Sequence, residues 1–206
     1  MPRTKSSKQW LRAHFDDVYV KKAQAAGYRS RAIYKLQEVD NKESLIKPGL
    51  TVVDLGAAPG GWTQYVTEKM QGKGRIIALD ILPMDAFPDV TFIQGDFREE
   101  AVLADLQALV PAHSVDVILS DMAPNLSGTA AIDIPRAMYL VELALDFACK
   151  MLKPGGSALI KIFHGEGFDD MVKLARQHFD RVVIRKPQAS RPGSKETYLL
   201  GRGYTV

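Results

Sequence analysis

Between Val52 and Trp62 the chain reads V-V-D-L-G-A-A-P-G-G-W, an apolar strand pattern ending at Asp54 and running into a turn of small residues. Gly56, Ala57, Gly60 and Gly61 let a backbone come close to a ligand. The spacing is not G-x-G-x-x-G, so the dinucleotide fingerprint is missing. Pro59 also removes an N–H donor at the place where a pyrophosphate would need one. Acids further on suit a different ligand. Asp80 ends the next apolar run and could accept hydrogen bonds from both hydroxyls of a ribose. Asp96, in Q-G-D-F after the third run, is placed to receive an adenine amino group, and Trp62 can pack against the same molecule. Singly, each has a structural reading as helix cap, turn former or core aromatic. Three suitable residues around successive strand ends are harder to explain that way. These features fit S-adenosylmethionine, which has no phosphate and needs room for a methionine carboxylate and an adenosine ribose.

A second group of polar residues lies in the C-terminal half. The run Val115–Leu119 leads into S-D-M-A-P-N (Ser120–Asn125) and lacks the Asn/Asp-Pro-Pro-aromatic arrangement that grips an exocyclic amine. Lys161 stands inside L-I-K-I-F, where a lysine is costly unless paired or functional. Glu196, in S-K-E-T-Y, opens the final apolar run. The four histidines (His14, His113, His164, His178) are scattered without paired ligand spacing, so no metal is expected. The single cysteine, Cys149, excludes an internal disulfide and reads as a buried, inert thiol.

The elements that position these residues follow from periodicity. Strands are expected at Thr51–Leu55, Arg75–Leu79, Val90–Gln94, Val115–Leu119, Ser157–Ile162, Arg181–Arg185 and Glu196–Leu200, with helices at Ser30–Ser44, Gly61–Met70, Glu99–Leu109, Ile134–Leu152 and Gly167–His178. Lys153–Gly156, K-P-G-G, reads as a turn between the long helix and the fifth strand. Apolar strands alternating with helices imply a parallel sheet covered on both faces. The link K-P-Q-A-S-R-P-G-S-K before Glu196 is too short and turn-rich for a crossover helix, so the last two strands must form an antiparallel hairpin. The expected fold is α/β: a doubly wound, seven-stranded, mostly parallel sheet with an antiparallel C-terminal strand and helices on both faces, as in class I methyltransferases.

A hydrophobic content of 46% with 25% charged residues is that of an ordinary globular chain. No apolar run reaches the length of a membrane span, and no secretory signal core opens the chain, so a cytoplasmic protein is expected. Charge is unevenly spread. Residues 1–35 hold nine Lys or Arg and two Asp, a net of +7 in a chain of net +3, which leaves −4 for the rest. A basic end on a mildly acidic body suits a polyanionic partner. The interleaved Trp10, Phe15, Tyr19, Tyr28 and Tyr34 argue for an ordered element rather than a solvated tail.

The segments S-R-A-I-Y-K-L, D-L-G-A-A-P-G-G-W, S-D-M-A-P-N, L-I-K-I-F and R-P-G-S-K-E-T-Y, together with the basic arm, resemble the FtsJ (RrmJ) family of RNA ribose 2′-O-methyltransferases nearly end to end. The short form is most similar to bacterial members that methylate a uridine ribose in large-subunit (23S) ribosomal RNA. The resemblance implies a catalytic tetrad of Lys35, Asp121, Lys161 and Glu196, with Asp121 also bordering the cofactor. It implies ribosomal RNA, within the large subunit, as partner, and a role in that subunit's maturation. Residues 1–30 would be an RNA-binding arm and residues 31–206 the catalytic domain. Lys5, Lys8, Arg12, Lys21, Lys22, Arg29, Arg31 and Arg191 would form a phosphate track. A lysine base must be neutral, which requires a pKa lowered toward roughly 7–8. Lys161 is the expected base, with Lys35 supplying a nearby cation, although sequence does not decide between the two. A purely structural pair of ion bridges, Lys161–Asp121 and Lys35–Glu196, is the competing reading. Other readings are action on another RNA such as tRNA, an RNA-binding module without catalysis, a methyltransferase for protein or small molecules, and a nucleotide-dependent oxidoreductase. A monomer is expected, because no apolar stripe suggests an obligate dimer.

Overall fold

The structure is a computed structural model and describes residues 17–206 apart from Leu126 and Pro192. Its elements are α1 (Val18–Ala25), α2 (Ile33–Glu43), β1 (Thr51–Leu55), α3 (Gly61–Met70), β2 (Arg75–Asp80), β3 (Val90–Gln94), α4 (Glu100–Leu109), β4 (Val115–Ser120), α5 (Ala130–Met151), β5 (Leu152–Phe163), α6 (Phe168–His178), β6 (Phe179–Arg185) and β7 (Glu196–Tyr204). One seven-stranded sheet has the order β3-β2-β1-β4-β5-β7-β6. Strands β1 to β5 pair in parallel, and β7 runs antiparallel to both β5 and β6. The mostly parallel sheet with an antiparallel finish is the class I methyltransferase architecture.

The period-two alternation of strand side chains divides the core into two layers. Val53, Leu55, Ile118, Ala158, Ile160 and Leu199 face α4, α5 and α6. Val52, Val117, Leu119, Leu159, Tyr198 and Leu200 face α2 and α3, whose Ile33, Leu36, Val39, Trp62 and Val66 close that side. Lys161 is two residues beyond Leu159 and therefore points to the α2 layer. Helix α1 joins the same layer through Ala23 and through Tyr19, whose ring centroid lies 5.5 Å from that of Tyr34. Asp17 caps it by accepting the Tyr19 N–H at 3.0 Å.

Several element ends differ from the expected ones, each for a local reason. Helix α2 starts at Ile33 rather than Ser30: the Ser30 Oγ accepts the Ala32 N–H, and residues 30–35 wind in i→i+3 turns before α-helical bonding begins. Helix α5 starts four residues before the expected Ile134. The Asp133 carboxylate accepts the Ser127 and Gly128 N–H groups at 2.8 and 3.0 Å, so Pro135 falls in the second turn. The K-P-G-G turn does not precede β5 but bulges out within it, since Leu152 pairs with Val115 and the next pairing joins Ser157 to Val117. Cys149 is half-buried rather than fully buried, and burial raises its thiol pKa.

Candidate active site

In a doubly wound sheet the order reverses between two parallel strands, and a crevice opens there at their carboxyl ends. Here β1 connects outward to β2 and β3, whereas β4 leads the other way to β5. A pocket occupies that point, lined by Gly56, Ala57, Ala58, Pro59, Gly61, Trp62 and Asp121, with Ser30, Arg31 and Ala32 closing one side. At Gly56 the backbone has φ +79°, and a Cβ would come within 2.9 Å of the Met122 backbone nitrogen. The loop after β1 therefore packs directly against Met122, backbone and side chain, with no room for a side chain at position 56.

Carboxylates ring this edge. Asp80 accepts the Ala58 N–H at 2.9 Å with Oδ2 and the Leu82 N–H at 2.8 Å with Oδ1. Each oxygen keeps a further lone pair, because a carboxylate accepts about four hydrogen bonds. Asp54 is fully buried under the loop. Its Oδ2 accepts from Thr63 Oγ1 at 2.7 Å, and its Oδ1 has no partner. Burial, with Asp121 and Asp80 nearby, pushes the Asp54 carboxyl up to about 7. Asp96 is held by Arg98, whose Nε donates to its two oxygens at 2.9 and 3.1 Å, and this hydrogen bonding lowers its pKa. Trp62 is almost wholly buried. Its Nε1–H donates to the Ala32 carbonyl at 2.8 Å, and its ring lies 5.5 Å from that of Tyr198, so it ties α3 to the α2 layer while one edge lines the pocket.

Beside the pocket the structure brings together all four residues of the expected tetrad. The antiparallel register explains how. In β7 the first residue, Glu196, stands opposite Phe163 at the carboxyl end of β5, and Tyr198 stands opposite Lys161. A parallel β7 would put Glu196 at the far edge of the sheet. Lys161 Nζ lies 2.8 Å from Asp121 Oδ1, 2.9 Å from the Asp121 carbonyl and 3.8 Å from Glu196 Oε2. Lys35, on the first turns of α2, reaches Glu196 Oε1 at 2.6 Å. Lys161 is buried, which disfavours its charge. The Asp121 and Glu196 carboxylates outweigh that cost, so its pKa is raised above the ordinary lysine value. In this arrangement Lys161 is an ammonium.

Sequence reasoning missed two residues of this cluster. Tyr198 is fully buried and donates its hydroxyl to Asp121 Oδ1 at 2.7 Å, with Glu196 Oε1 at 3.4 Å. Ser190 Oγ donates to Glu196 Oε1 at 3.1 Å. Tyr198 was detectable, because it follows Glu196 by one strand period.

The expected phosphate track divides. Lys5, Lys8 and Arg12 lie outside the described residues. Lys21 and Lys22 are exposed on α1, with Lys22 Nζ 4.7 Å from the centre of the Tyr34 ring. Arg31 is drawn inward, bonded to the Asp17 carboxylate and the Ala189 carbonyl. Arg191 Nε is 3.7 Å from the same Asp17 carboxylate. Arg29 is bonded to the backbone of the segment after β2. Among the described residues no group of His, Cys, Asp and Glu is arranged to hold a metal ion, and no helix is long and apolar enough to cross a membrane.

A family model described as FtsJ-like methyltransferase matches residues 28–204. The chain belongs to the FtsJ-like methyltransferase family. Over 206 residues it is 73% identical to the Ribosomal RNA large subunit methyltransferase E of Legionella pneumophila (strain Corby), covering 100% of both chains. It is 59% identical over 204 residues to the protein of the same name from Pseudomonas fluorescens, covering 99% of this chain and 98% of that one. A crystal structure described as a ribosomal RNA methyltransferase from Plasmodium falciparum superposes with a TM-score of 0.76 at 30% identity, covering 86% of this chain and 98% of that chain. This member of the family is thus a methyltransferase, and its solved neighbour has the same architecture.

Proposed function

We propose that this methyltransferase transfers a methyl group from S-adenosylmethionine to the 2′-hydroxyl of a uridine ribose in large-subunit (23S) ribosomal RNA, as a cytoplasmic monomer acting in ribosome maturation. The observation that carries this reading is the placement of Lys161. It is a buried lysine between two carboxylates at the carboxyl edge of the sheet, next to the glycine-lined pocket. Relatives spanning the full chain are named as ribosomal RNA large subunit methyltransferases, which supports the substrate.

The pocket residues suit this cofactor. Gly56, Ala57, Pro59 and Gly61 line the pocket with small or compact residues, Asp80 has lone pairs left for two ribose hydroxyls, and Asp54 and Gly60 support the loop from behind. Trp62, which lines the pocket, is the residue proposed to pack against the cofactor, and Asp96, whose two oxygens Arg98 holds, is the one proposed for the adenine edge. When bound, S-adenosylmethionine supplies an electrophilic methyl group to an oxygen aligned behind it. The chain's own task is to align that oxygen and take its proton. Asp121 borders both the pocket and Lys161, so an acceptor hydroxyl placed beside Lys161 Nζ also lies at the pocket mouth.

Lys161 must first lose the proton that Asp121 and Glu196 help it keep. Neutral Lys161 would then accept the hydroxyl proton as the C–O bond forms and the methyl–sulfur bond breaks, the sulfur leaving with the electron pair as the thioether of S-adenosylhomocysteine. Lys35 favours this by neutralising Glu196, which weakens that carboxylate's hold on Lys161. Transfer therefore rises with pH above neutrality. The segment 1–30 serves as the RNA-binding arm of the domain 31–206, with the exposed Lys21, Lys22 and Arg191 and, outside the described residues, Lys5, Lys8 and Arg12 as the cations of its phosphate track.

The test is transfer of labelled methyl from S-adenosylmethionine to large ribosomal subunits, or to their naked RNA, from cells lacking the protein, followed by ribose mapping. Label in one 2′-O-methyluridine of 23S RNA is the expected result. Label resistant to ribonuclease, or label in tRNA alone, overturns the substrate.

A further inference from the structure

Arg29 belongs to the basic N-terminal stretch, yet its side chain is already engaged within the protein. Nη1 donates to the Asp85 carbonyl at 2.6 Å and Nη2 to the Ala86 carbonyl at 3.2 Å. The guanidinium carbon stands 3.6 Å from the centre of the Phe87 ring. The Arg29 backbone N–H donates to Gln64 Oε1 on α3 at 3.0 Å, and Gln64 Nε2 donates to the Gly27 carbonyl at 3.4 Å. One residue thus joins the N-terminal stretch, the helix after the glycine loop, and the segment that follows Asp80.

These three parts converge on Gly60. Its φ is +108°, and a Cβ there would come within 3.0 Å of Arg29 Nη1, Met84 Sδ and Phe87 Cε2. At Gly61 a Cβ would lie 2.3 Å from Ser30 Oγ. Gly60 thus admits Arg29 and the 81–88 segment, and Gly61, which also lines the pocket, admits Ser30. That segment forms neither helix nor strand, and its Ile81 and Leu82 side chains are 58% and 60% exposed, so little apolar packing fixes its start. Asp80 sits at its root, bonded to Ala58 on one side and Leu82 on the other.

We propose that Arg29 is a positioning residue for the cofactor: it clamps residues 81–88 onto Gly60 and thereby holds Asp80 and the pocket mouth in their binding geometry. The proposal rests on the S-adenosylmethionine reading of the pocket. A guanidinium suits the task because its planar fork meets two adjacent carbonyls at once and stacks on an aromatic ring, whereas an ammonium is a point charge. Arg29 acts through the loop and not on RNA phosphate. Arg29 lies four residues beyond the end of α1, so displacing the N-terminal stretch from Gly60 is expected to weaken binding in the pocket.

Calorimetric titration of the full-length protein with S-adenosylhomocysteine, paired with filter binding to a 23S RNA fragment, tests this. Arg29→Lys keeps the charge but not the fork, and Phe87→Ala removes the ring without touching charge. Each is expected to weaken S-adenosylhomocysteine binding about tenfold, as for lost charge-assisted hydrogen bonds and stacking. RNA affinity should stay within about twofold, and amide exchange in residues 81–88 should quicken. Wild-type cofactor affinity in Arg29→Lys overturns the clamp, as does reduced RNA affinity with cofactor binding intact. If the wild-type protein itself binds no S-adenosylhomocysteine, the cofactor reading fails, and the clamp has nothing to position. Melting curves of both variants show whether the fold persists. If Phe87→Ala does not fold, Arg29→Lys alone decides.

Discussion

Helix α2 bridges to the C-terminal hairpin at both of its ends through buried charge, and the two bridges are built from different cations. Near its start, Lys35 meets Glu196, which with Asp121 surrounds Lys161. At its last residue, Glu43 is nearly fully buried and receives Arg185, Arg181 and Arg202 from β6 and β7. Arginine does not lose its proton in a protein, so the second cluster can only hold elements together. Lysine can lose one, and the first cluster lies at the carboxyl edge beside the pocket. Burial and pairing alone do not distinguish a site from a strut. The kind of cation and its place along the strands do.

The largest expected effect separates the two ends. Lys161→Ala should lower methyl transfer by ~10²–10⁴-fold, the usual contribution of a positioned base, while S-adenosylhomocysteine binding is kept. Lys161→Arg sharpens the point, because it preserves the cation and the ion pairs but cannot accept the hydroxyl proton. Transfer assays should find both variants inactive. An active Lys161→Arg protein would make the first cluster a strut like the second.

At the other end Glu43→Ala should act on stability alone. It leaves three partly exposed arginines without their shared carboxylate, and losing hydrogen bonds to a charged group costs about 1.5–3 kcal/mol. Chemical denaturation should show that loss, with transfer per folded molecule unchanged at low temperature. The arginines hold the Glu43 carboxyl below its usual range against the opposing effect of burial. Its contribution is therefore present above the unfolded-state value and is lost as pH falls through the folded one.

A smaller effect concerns pH on the cofactor side. The Asp54 carboxyl is raised to about 7 in the folded protein, against an unfolded value of about 3.9. Between these values the native state binds more protons than the unfolded state, so this group lowers stability as pH climbs through that window. The melting temperature of wild type should fall relative to Asp54→Asn from pH 5 to pH 7, with the two curves running parallel beyond about pH 8. Parallel curves throughout would mean that Asp54 is ionised in the fold despite its unpartnered oxygen.

Both ends of α2 contain what sequence shows and what it hides. Lys161 was conspicuous because a lysine within L-I-K-I-F contradicts its surroundings, and Glu196 because it opens a strand. The doubly wound, mostly parallel sheet followed from alternating strands and helices, and the terminal hairpin from a link too short to cross over. Glu43 carried no signal, since its partners lie some 140 residues away and converge only when β6 and β7 pair beside α2. The basic arm illustrates the same limit: composition counts charges but not their partners. Arg29 and Arg31 read as free cations, yet they are bonded to backbone carbonyls of residues 85, 86 and 189, and Arg31 also to Asp17. Tyr198 carried a signal in its spacing, one strand period after Glu196, but its type masked it, because a tyrosine in an apolar strand reads as core.

Tyr198 supplies the finest test of how the lysine end differs. Its phenol pKa is pushed well up by burial and the neighbouring carboxylates, so it remains a donor. It donates to Asp121 Oδ1, the same oxygen that lies 2.8 Å from Lys161 Nζ. Each donor reduces the charge that oxygen offers to the other. Tyr198→Phe removes one donor and leaves the carboxylate to Lys161 alone, so the ammonium is held more firmly and deprotonates at higher pH. Transfer near pH 7 should drop roughly threefold to tenfold and recover toward the wild-type rate as pH rises, for a lysine value displaced by about half a unit to one unit, where one unit is worth about 1.4 kcal/mol. A loss of the same size at every pH would show that the hydroxyl only orients Asp121. No loss at all would leave Tyr198 as packing for Trp62 and would place the control of Lys161 with Asp121 and Glu196 alone.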